Sequence, residues 1–275
     1  MTFEQLSAGI KDKLQKAGIE SAAYEANEIV KFYGGRRFCE VTGETVSAAF
    51  SAADLRVGGK PLQYIFGEWE FFGLPFKVGP GVLIPRADTE TAVECALRLL
   101  KGKKEPTVAD LCAGSGCIGI ALAASAGARV TFVEKSAAAT EYLKENLSLN
   151  GVNGRVIEGD VLKETNEFSD EFDLFISNPP YIRTDDIKTL SDEVKAEPIM
   201  ALDGGGDGLL FYKKITALWK NALKNGGYAV FEIGYDQKED VGKILQSEGF
   251  CGITCVKDLC GNDRVVYAKY IKKEY

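Results

Sequence analysis

Apolar residues recur at helical spacing from the start of the chain. Phe3, Leu6, Ile10, Leu14 and Ala17 share one face, and Gly18 offers a stop. A second such pattern, Ala23, Ala26, Val30 and Tyr33, follows Ser21, which is suited to cap it, and ends at Gly34-Gly35. A third lies around 47–55, ahead of Gly58-Gly59. Three short helices can build a bundle of about 65 residues, which is marginal alone. The period then changes. Apolar runs on either side of Gly73-Leu74-Pro75, with Trp69, Phe71, Phe72 and Phe76, predict a β-hairpin and mark the junction. The expected division is a helical domain over 1–67, a hairpin linker over 68–85 and a second domain over 86–275.

From Thr107 onward strand-like and helix-like runs alternate. Strands are expected at 108–111, 130–133, 155–157, 174–177 and 228–232, and helices at 118–126, 137–150 and 209–225. Such alternation predicts an α/β domain, with helices covering both faces of a mostly parallel sheet. After a further helix near 237–247, two runs at 252–256 and 264–269 flank the turn-like Gly261-Asn262-Asp263. They predict an antiparallel hairpin at the sheet edge.

Composition narrows the chemistry. A length of 275 residues suits one catalytic domain and a smaller unit, and the net charge of −7 (33 basic against 40 acidic residues) speaks against a dedicated phosphate-backbone binder. No run approaches the roughly 18 apolar residues of a membrane span. The polar, amphipathic N-terminus lacks the pattern of a secretory signal, so the seven cysteines are expected as free thiols in a reducing cytoplasm. Cys251, Cys255 and Cys260 lack paired Cys-x-x-Cys units, and no histidine exists to complete a zinc site; no metal is expected. The absence of histidine also removes every imidazole base, leaving carboxylate, cysteine, lysine or positioning to act.

Asp110-Leu111-Cys112-Ala113-Gly114-Ser115-Gly116-Cys117-Ile118-Gly119 joins the first strand of the alternating region to a helix. Glycines at 114, 116 and 119 allow a tight turn and close backbone approach to a ligand. Glu134 ends the next strand, where a carboxylate can accept both hydroxyls of a ribose. Each alone has a plain alternative, a strand-to-helix turn and an exposed strand-end charge; together they suggest a nucleoside-containing cofactor. A nicotinamide dinucleotide and S-adenosylmethionine both fit to this point. Asp110, four residues before the first glycine, makes the loop longer than a compact dinucleotide turn, and Asp110-Leu-x-x-Gly-x-Gly resembles the first motif of the Rossmann-like methyltransferases. Asp160 and Val161, after the third strand, lie where that superfamily often contacts adenine.

Asn178-Pro179-Pro180-Tyr181 closes the fourth strand. The prolines fix φ and remove two N–H donors. The Asn178 side-chain carbonyl and the Pro179 backbone carbonyl can then each accept one N–H of a substrate –NH₂ group, with the Tyr181 ring as a flat face for a planar amide or base. An amide nitrogen is a poor nucleophile, so two acceptors that hold it in line with a sulfonium methyl supply what the reaction needs: positioning and charge stabilisation.

With this loop, Asn178 to Tyr181 resemble the amino and amide methyltransferases. A wider set narrows the likeness to the HemK-type glutamine methyltransferases of peptide chain release factors. It comprises Pro61-Leu62-Gln63-Tyr64-Ile65-x-Gly67, Glu70-Phe71-x-Gly73-Leu74, Val82-Leu83-Ile84-Pro85-Arg86, Thr89-Glu90, Glu197-Pro198, Ala201-Leu202, Gly205-x-Asp207-Gly208-Leu209, Glu232-Ile233-Gly234-x-x-Gln237 and Asp258-Leu259-x-Gly261-x-Asp263-Arg264. The resemblance implies a Rossmann-like methyltransferase sheet of seven strands, an N-terminal helical domain that helps bind the release factor, and a Gly-Gly-Gln glutamine as methyl acceptor in translation termination. It implies that Asn178, Pro179, Pro180 and Tyr181 hold that glutamine. It also implies that Ala113, Gly114, Ser115, Gly116, Cys117 and Glu134 hold S-adenosylmethionine, with Asp160, Val161 and Asn178 beside it. The sequence departs from the family pattern at Ala87-Asp88 (usually Pro-Glu), Cys112-Ala113 (commonly Gly-Thr) and Lys135 (often Ile or Leu). Rival expectations are a glutamine methyltransferase of a ribosomal protein, an adenine-N6 methyltransferase that would flip a base out of a duplex, a nicotinamide-dependent oxidoreductase that leaves Asn178 to Tyr181 without a task, and a non-catalytic binding module.

Overall fold

The computed structural model describes residues 1–163 and 168–272. Its elements run α1 (Phe3–Lys16), α2 (Ala22–Phe32), α3 (Gly43–Val57), α4 (Leu62–Phe66), β1 (Glu68–Phe71), β2 (Leu74–Lys77), α5 (Glu90–Leu100), β3 (Thr107–Leu111), α6 (Cys117–Ala126), β4 (Arg129–Glu134), α7 (Ala137–Leu149), β5 (Gly154–Glu158), β6 (Phe172–Ser177), α8 (Asp192–Lys195), α9 (Leu210–Trp219), β7 (Leu223–Glu232), α10 (Lys238–Ser247), β8 (Phe250–Lys257) and β9 (Asp263–Tyr270). They form two compact units: Met1–Glu68 with Ser191–Ala196, and Trp69–Leu190 with Glu197 onward.

In the helical unit the apolar stripes meet as the sequence pattern requires. Leu6, Ile10 and Leu14 of α1 pack with Ala26, Ile29 and Val30 of α2 and Ala49 and Ala53 of α3, all fully buried. Thr2 and Gln5 close α1 with a capping box. Ser21 does not cap α2; its hydroxyl donates to Glu25 Oε1 at 2.6 Å. Glu25 is itself buried and receives the Arg56 guanidinium at 2.6 Å through Nε and 3.1 Å through Nη2. The other side of Arg56 Nη2 meets Glu193 at 3.0 Å, which explains why the distant segment Ser191–Ala196 belongs to this unit. Sequence pattern alone gave no sign of that segment's placement, because the ion pair joins residues 137 positions apart.

The second unit is a seven-stranded sheet of order β5-β4-β3-β6-β7-β9-β8. Strands β5, β4, β3, β6 and β7 are parallel, while β9 runs antiparallel to both β7 and β8. This is the mostly parallel sheet that the alternation of elements predicts, and the seven-stranded Rossmann-like sheet that the resemblance implies, with its antiparallel last strand. Strand β6 is buried at every position, as a central strand covered on both faces should be. The helix expected over 209–225 is shorter: α9 stops at Trp219, a 3₁₀ turn follows, and Leu223 already belongs to β7. Leu223 is fully buried and pairs with Phe172, so a tertiary contact overrides its helical spacing.

Candidate active site

The sheet order reverses direction beside β3, whose neighbours are β4 on one side and β6 on the other. In open α/β sheets a crevice opens at the carboxyl ends on either side of such a point. Register brings the relevant loops together there. Leu111 of β3 stands opposite Val133 of β4 and Ser177 of β6, so the next residues, Cys112, Glu134 and Asn178, leave adjacent strand ends. Two bonds pin the junction: Ala113 N–H to the Val133 carbonyl at 3.1 Å, and the Ser177 hydroxyl to the Leu111 carbonyl at 2.6 Å.

The glycine-rich loop is held from below by buried carboxylates. Gly119 N–H donates to Asp110 Oδ2 at 2.8 Å. A Cβ at Gly119 would stand 2.3 Å from the Phe132 ring, so this glycine serves close packing of α6 on β4. Asp110 is buried and its Oδ1 has no hydrogen-bond partner among the described residues. Burial pushes its carboxyl up to about 8, against the pull of the Gly119 bond and with the added push of Glu134. Cys112 takes a left-handed φ of 61°, a conformation that favours glycine. Burial raises the thiols of Cys112 and Cys117, the latter to about 12, so neither is a thiolate near neutral pH.

Glu134 is buried at the end of β4 rather than displayed in solvent. One carboxylate oxygen accepts Gly114 N–H at 2.8 Å and the other accepts Ser136 N–H at 2.7 Å. Each oxygen keeps further lone-pair capacity toward the cleft that Glu134 lines. That pair of acceptors fits the two hydroxyls of a ribose. Asp160 accepts Leu162 N–H at 3.0 Å and pairs with Lys135 at 3.0 Å; although desolvation pushes its carboxyl up, the Leu162 and Lys135 bonds hold it below the ordinary range. The departure at Lys135 thus has a local partner. Val161 is buried with its carbonyl bonded by the Trp219 indole, and its side chain supplies an apolar wall beside Asp160.

The cleft is open to solvent, and its lining includes Cys112 to Ser115, Cys117, Glu134, Asp160, Val161, Asn178 and Pro180. Of the residues singled out from sequence, Gly116, Pro179 and Tyr181 stand behind the lining. A Cβ at Gly116, whose φ is 80°, would stand 2.2 Å from Leu143, so this glycine turns the loop and admits α7. The Tyr181 ring packs against the core and its hydroxyl is pushed up to about 12 by burial and by Glu232. The opposite wall comes from Val82 to Arg86 and from Pro198 to Ala201, two segments joined where Arg86 pairs with the fully buried carboxylate of Glu197.

Asn178 has a fixed orientation. Its side-chain NH₂ donates to Thr89 Oγ1 at 3.2 Å, which leaves its carbonyl oxygen for the cleft. Behind Tyr181, Gln237 uses all four amide positions. Its NH₂ donates to the carbonyls of Tyr181 (3.1 Å) and Gly208 (3.2 Å), and its oxygen accepts Gly234 N–H (2.9 Å) and the Tyr212 hydroxyl (3.2 Å). Thr89 and Gln237 stood in the resemblance set without a task; only their neighbours in space reveal one. Among the described residues no cluster of three or more Cys, Asp or Glu is arranged to hold a metal. No described helix is long and apolar enough to cross a membrane.

Comparison with known proteins places this architecture. The family model of the methyltransferase small domain matches residues 76–216. A release factor glutamine methyltransferase of Fusobacterium nucleatum is 49% identical over 214 residues, which cover 76% of this chain and 60% of that protein. One from Clostridium botulinum is 43% identical over 224 residues, 80% of this chain and 79% of that protein. A methyltransferase structure from Pyrococcus furiosus superposes with a TM-score of 0.55 at 18% identity, over 74% of this chain and 91% of that one, a likeness of fold. With its sheet order, its cleft at the reversal point and this similarity over most of its length, the chain belongs to the release factor glutamine methyltransferase family, S-adenosylmethionine-dependent protein-glutamine N-methyltransferases.

Proposed function

We propose that this chain methylates the side-chain amide nitrogen of the glutamine in the Gly-Gly-Gln motif of a peptide chain release factor. The orientation of Asn178 carries the reading: its NH₂ is engaged by Thr89, so its carbonyl oxygen is the group left to meet a substrate –NH₂. S-adenosylmethionine, when bound, supplies a methyl group on a positively charged sulfur. Glu134 would hold its ribose, the loop from Ala113 to Cys117 would face its polar end, and Asp160 with Val161 would flank its adenine. Asn178, with the Pro179 carbonyl, would accept the two amide hydrogens and turn the nitrogen toward the methyl group. Pro179 and Pro180 have no N–H to compete for those acceptors. Tyr181, packed on the core and tied by Gln237, would stiffen this segment from behind. No histidine is required, because the step is one of positioning and charge stabilisation.

The helical unit is proposed as the part that recognises the body of the release factor. Its surface carries Tyr24, Phe38 and Leu55 at 57%, 89% and 50% exposure, apolar area that a protein partner could cover. The test of the whole reading is incubation with labelled S-adenosylmethionine and intact release factors, followed by mass mapping. Label on the Gly-Gly-Gln glutamine is expected. Label on a ribosomal protein instead, or on adenine in nucleic acid, would replace the substrate while keeping the fold.

A further inference from the structure

Strands β6 and β7 are parallel with Ser177 opposite Phe231, so Asn178 and Glu232 emerge side by side at the carboxyl edge of the sheet. Thr89 stands at the start of α5, against Asn178. It accepts from the Asn178 NH₂ at 3.2 Å, and the Glu232 carboxylate lies near enough for the Thr89 side chain to draw it down. Thr89 and Glu232 lie out of water, at 2% and 1% exposure, while half-buried Asn178 lines the cleft. One Glu232 oxygen, Oε2, has no hydrogen-bond partner among the described residues.

A threonine hydroxyl has one proton to give. While a carboxylate takes that proton, the Thr89 oxygen can only accept, and the Asn178 amide must turn its NH₂ toward it. Its carbonyl then faces the cleft. Without the carboxylate, Thr89 is free to donate to the Asn178 carbonyl. The amide could then turn over and present hydrogens to a substrate –NH₂, where two donors would meet.

We propose that Glu232, acting through Thr89, is a positioning residue that fixes which end of the Asn178 amide faces the substrate. The inference rests on the reading of Asn178 as the acceptor for the substrate amide. It also assigns Thr89 a specific duty, that of passing on the polarity of a buried charge.

A pH dependence follows. The groups facing Glu232 are Arg264 of β9, Arg86 and Asp88 ahead of α5, Tyr181 after β6, Tyr212 of α9 and Cys117 of α6. Burial raises the Glu232 carboxyl to about 7, although the Thr89 hydroxyl and Arg264 pull it down. Once protonated, Glu232 can donate to Thr89 rather than accept, and the orientation is lost. Turnover should therefore rise with pH as Glu232 ionises.

The test uses the full chain, S-adenosylmethionine and an intact release factor, with kcat and KM measured from mildly acidic to mildly alkaline pH. Calorimetry with S-adenosylmethionine serves as the control for folding. Thr89→Val keeps the shape and is expected to lower kcat on the order of tenfold or more, with cofactor affinity retained. Thr89→Ser, which keeps the hydroxyl, should restore most of it. Glu232→Gln cannot ionise and should lose the rise of kcat with pH. Thr89→Ser and Glu232→Gln carry the test if Thr89→Val fails to fold. Wild-type kcat and an unchanged pH profile in the Thr89 and Glu232 variants, with Asn178→Ala inactive, would overturn the relay and leave the amide acceptor standing. Near-normal kcat in Asn178→Ala would instead remove the acceptor itself, and the relay with it.

Discussion

At the scale of single residues, the site is built from polar side chains that each do two things. Glu134 faces the cleft, yet its oxygens also tie down Gly114 N–H and Ser136 N–H. Glu134→Ala should therefore weaken S-adenosylmethionine binding by about 1–3 kcal/mol and also lower the melting temperature, because two backbone donors lose a charged acceptor. Calorimetry and thermal unfolding separate the effects; unaltered affinity would place the ribose elsewhere. Asn178→Asp keeps the shape but sets a second acceptor against Thr89, close to Glu232. Turnover should fall on the order of a hundredfold with cofactor binding retained. Single-turnover assays on an intact release factor would show this, and near-normal rates would make Asn178 a loop residue only. Two departures from the family pattern also find partners: Lys135 pairs with Asp160, and Asp88 pairs with Arg264 at 3.1 Å. Cys112 differs, since it occupies a left-handed φ that a glycine would take without strain.

At the scale of elements, buried charge decides more than helix propensity does. Glu25 of α2 and Arg56 of α3 form an ion pair with side chains 8% exposed, and Glu193 of α8 completes it. Removing one partner of such a pair leaves the other charged and out of water. Arg56→Leu should thus destabilise the helical unit by about 3–5 kcal/mol. Chemical denaturation monitored by circular dichroism gives the measurement; an unchanged midpoint would mean that Glu25 is satisfied by Ser21 alone. In the sheet unit, Asp173 of β6 plays a comparable part at the amino edge. Burial raises its carboxyl, but bonds from Lys103, Thr107 and Lys224 hold it well below the ordinary range. It ties β6 to the start of β3 and to β7, so the strand ends that carry the cleft are set from the opposite edge.

At the scale of the whole molecule, stability and activity respond to the same buried carboxyl in opposite directions. Glu232 has a value of about 7 in the folded chain against an ordinary 4.5. The folded state then binds more protons than the unfolded one between these values. Its contribution is complete below about 4.5, declines as pH rises and is gone above about 7. Glu232→Gln should accordingly melt higher than the wild type at pH 8, with the gap closing toward pH 5, even as its pH-dependent turnover is lost. Melting curves at both pH values decide this; a gap that widens toward acid would contradict the sign. Partner recognition belongs to this scale too. Tyr24→Ser with Leu55→Ser on the helical unit should raise KM for an intact release factor while leaving cofactor affinity and the rate on a short Gly-Gly-Gln peptide little changed. Equal KM values for the intact factor would exclude that face from recognition.

The sequence by itself determined the elements and the kind of chemistry. Leu6, Ile10 and Leu14 at helical spacing, the alternation after Thr107 and the turn at Gly261 needed only local periods, because backbone geometry imposes them wherever they occur. Asn178-Pro179-Pro180-Tyr181 and Asp110 to Gly119 were legible for a related reason: prolines and glycines constrain the chain on the spot. Tertiary structure decided the rest. It ended α9 at Trp219 because Leu223 is needed beside Phe172, drew 191–196 to Arg56, turned Tyr181 into the core and buried Glu134. It also set Thr89 and Glu232 behind Asn178, residues 89 and 54 positions away along the chain. A hydrogen bond between strand ends depends on sheet order and register. Those follow from how a whole hydrophobic surface is buried, and no window of neighbouring residues contains that information.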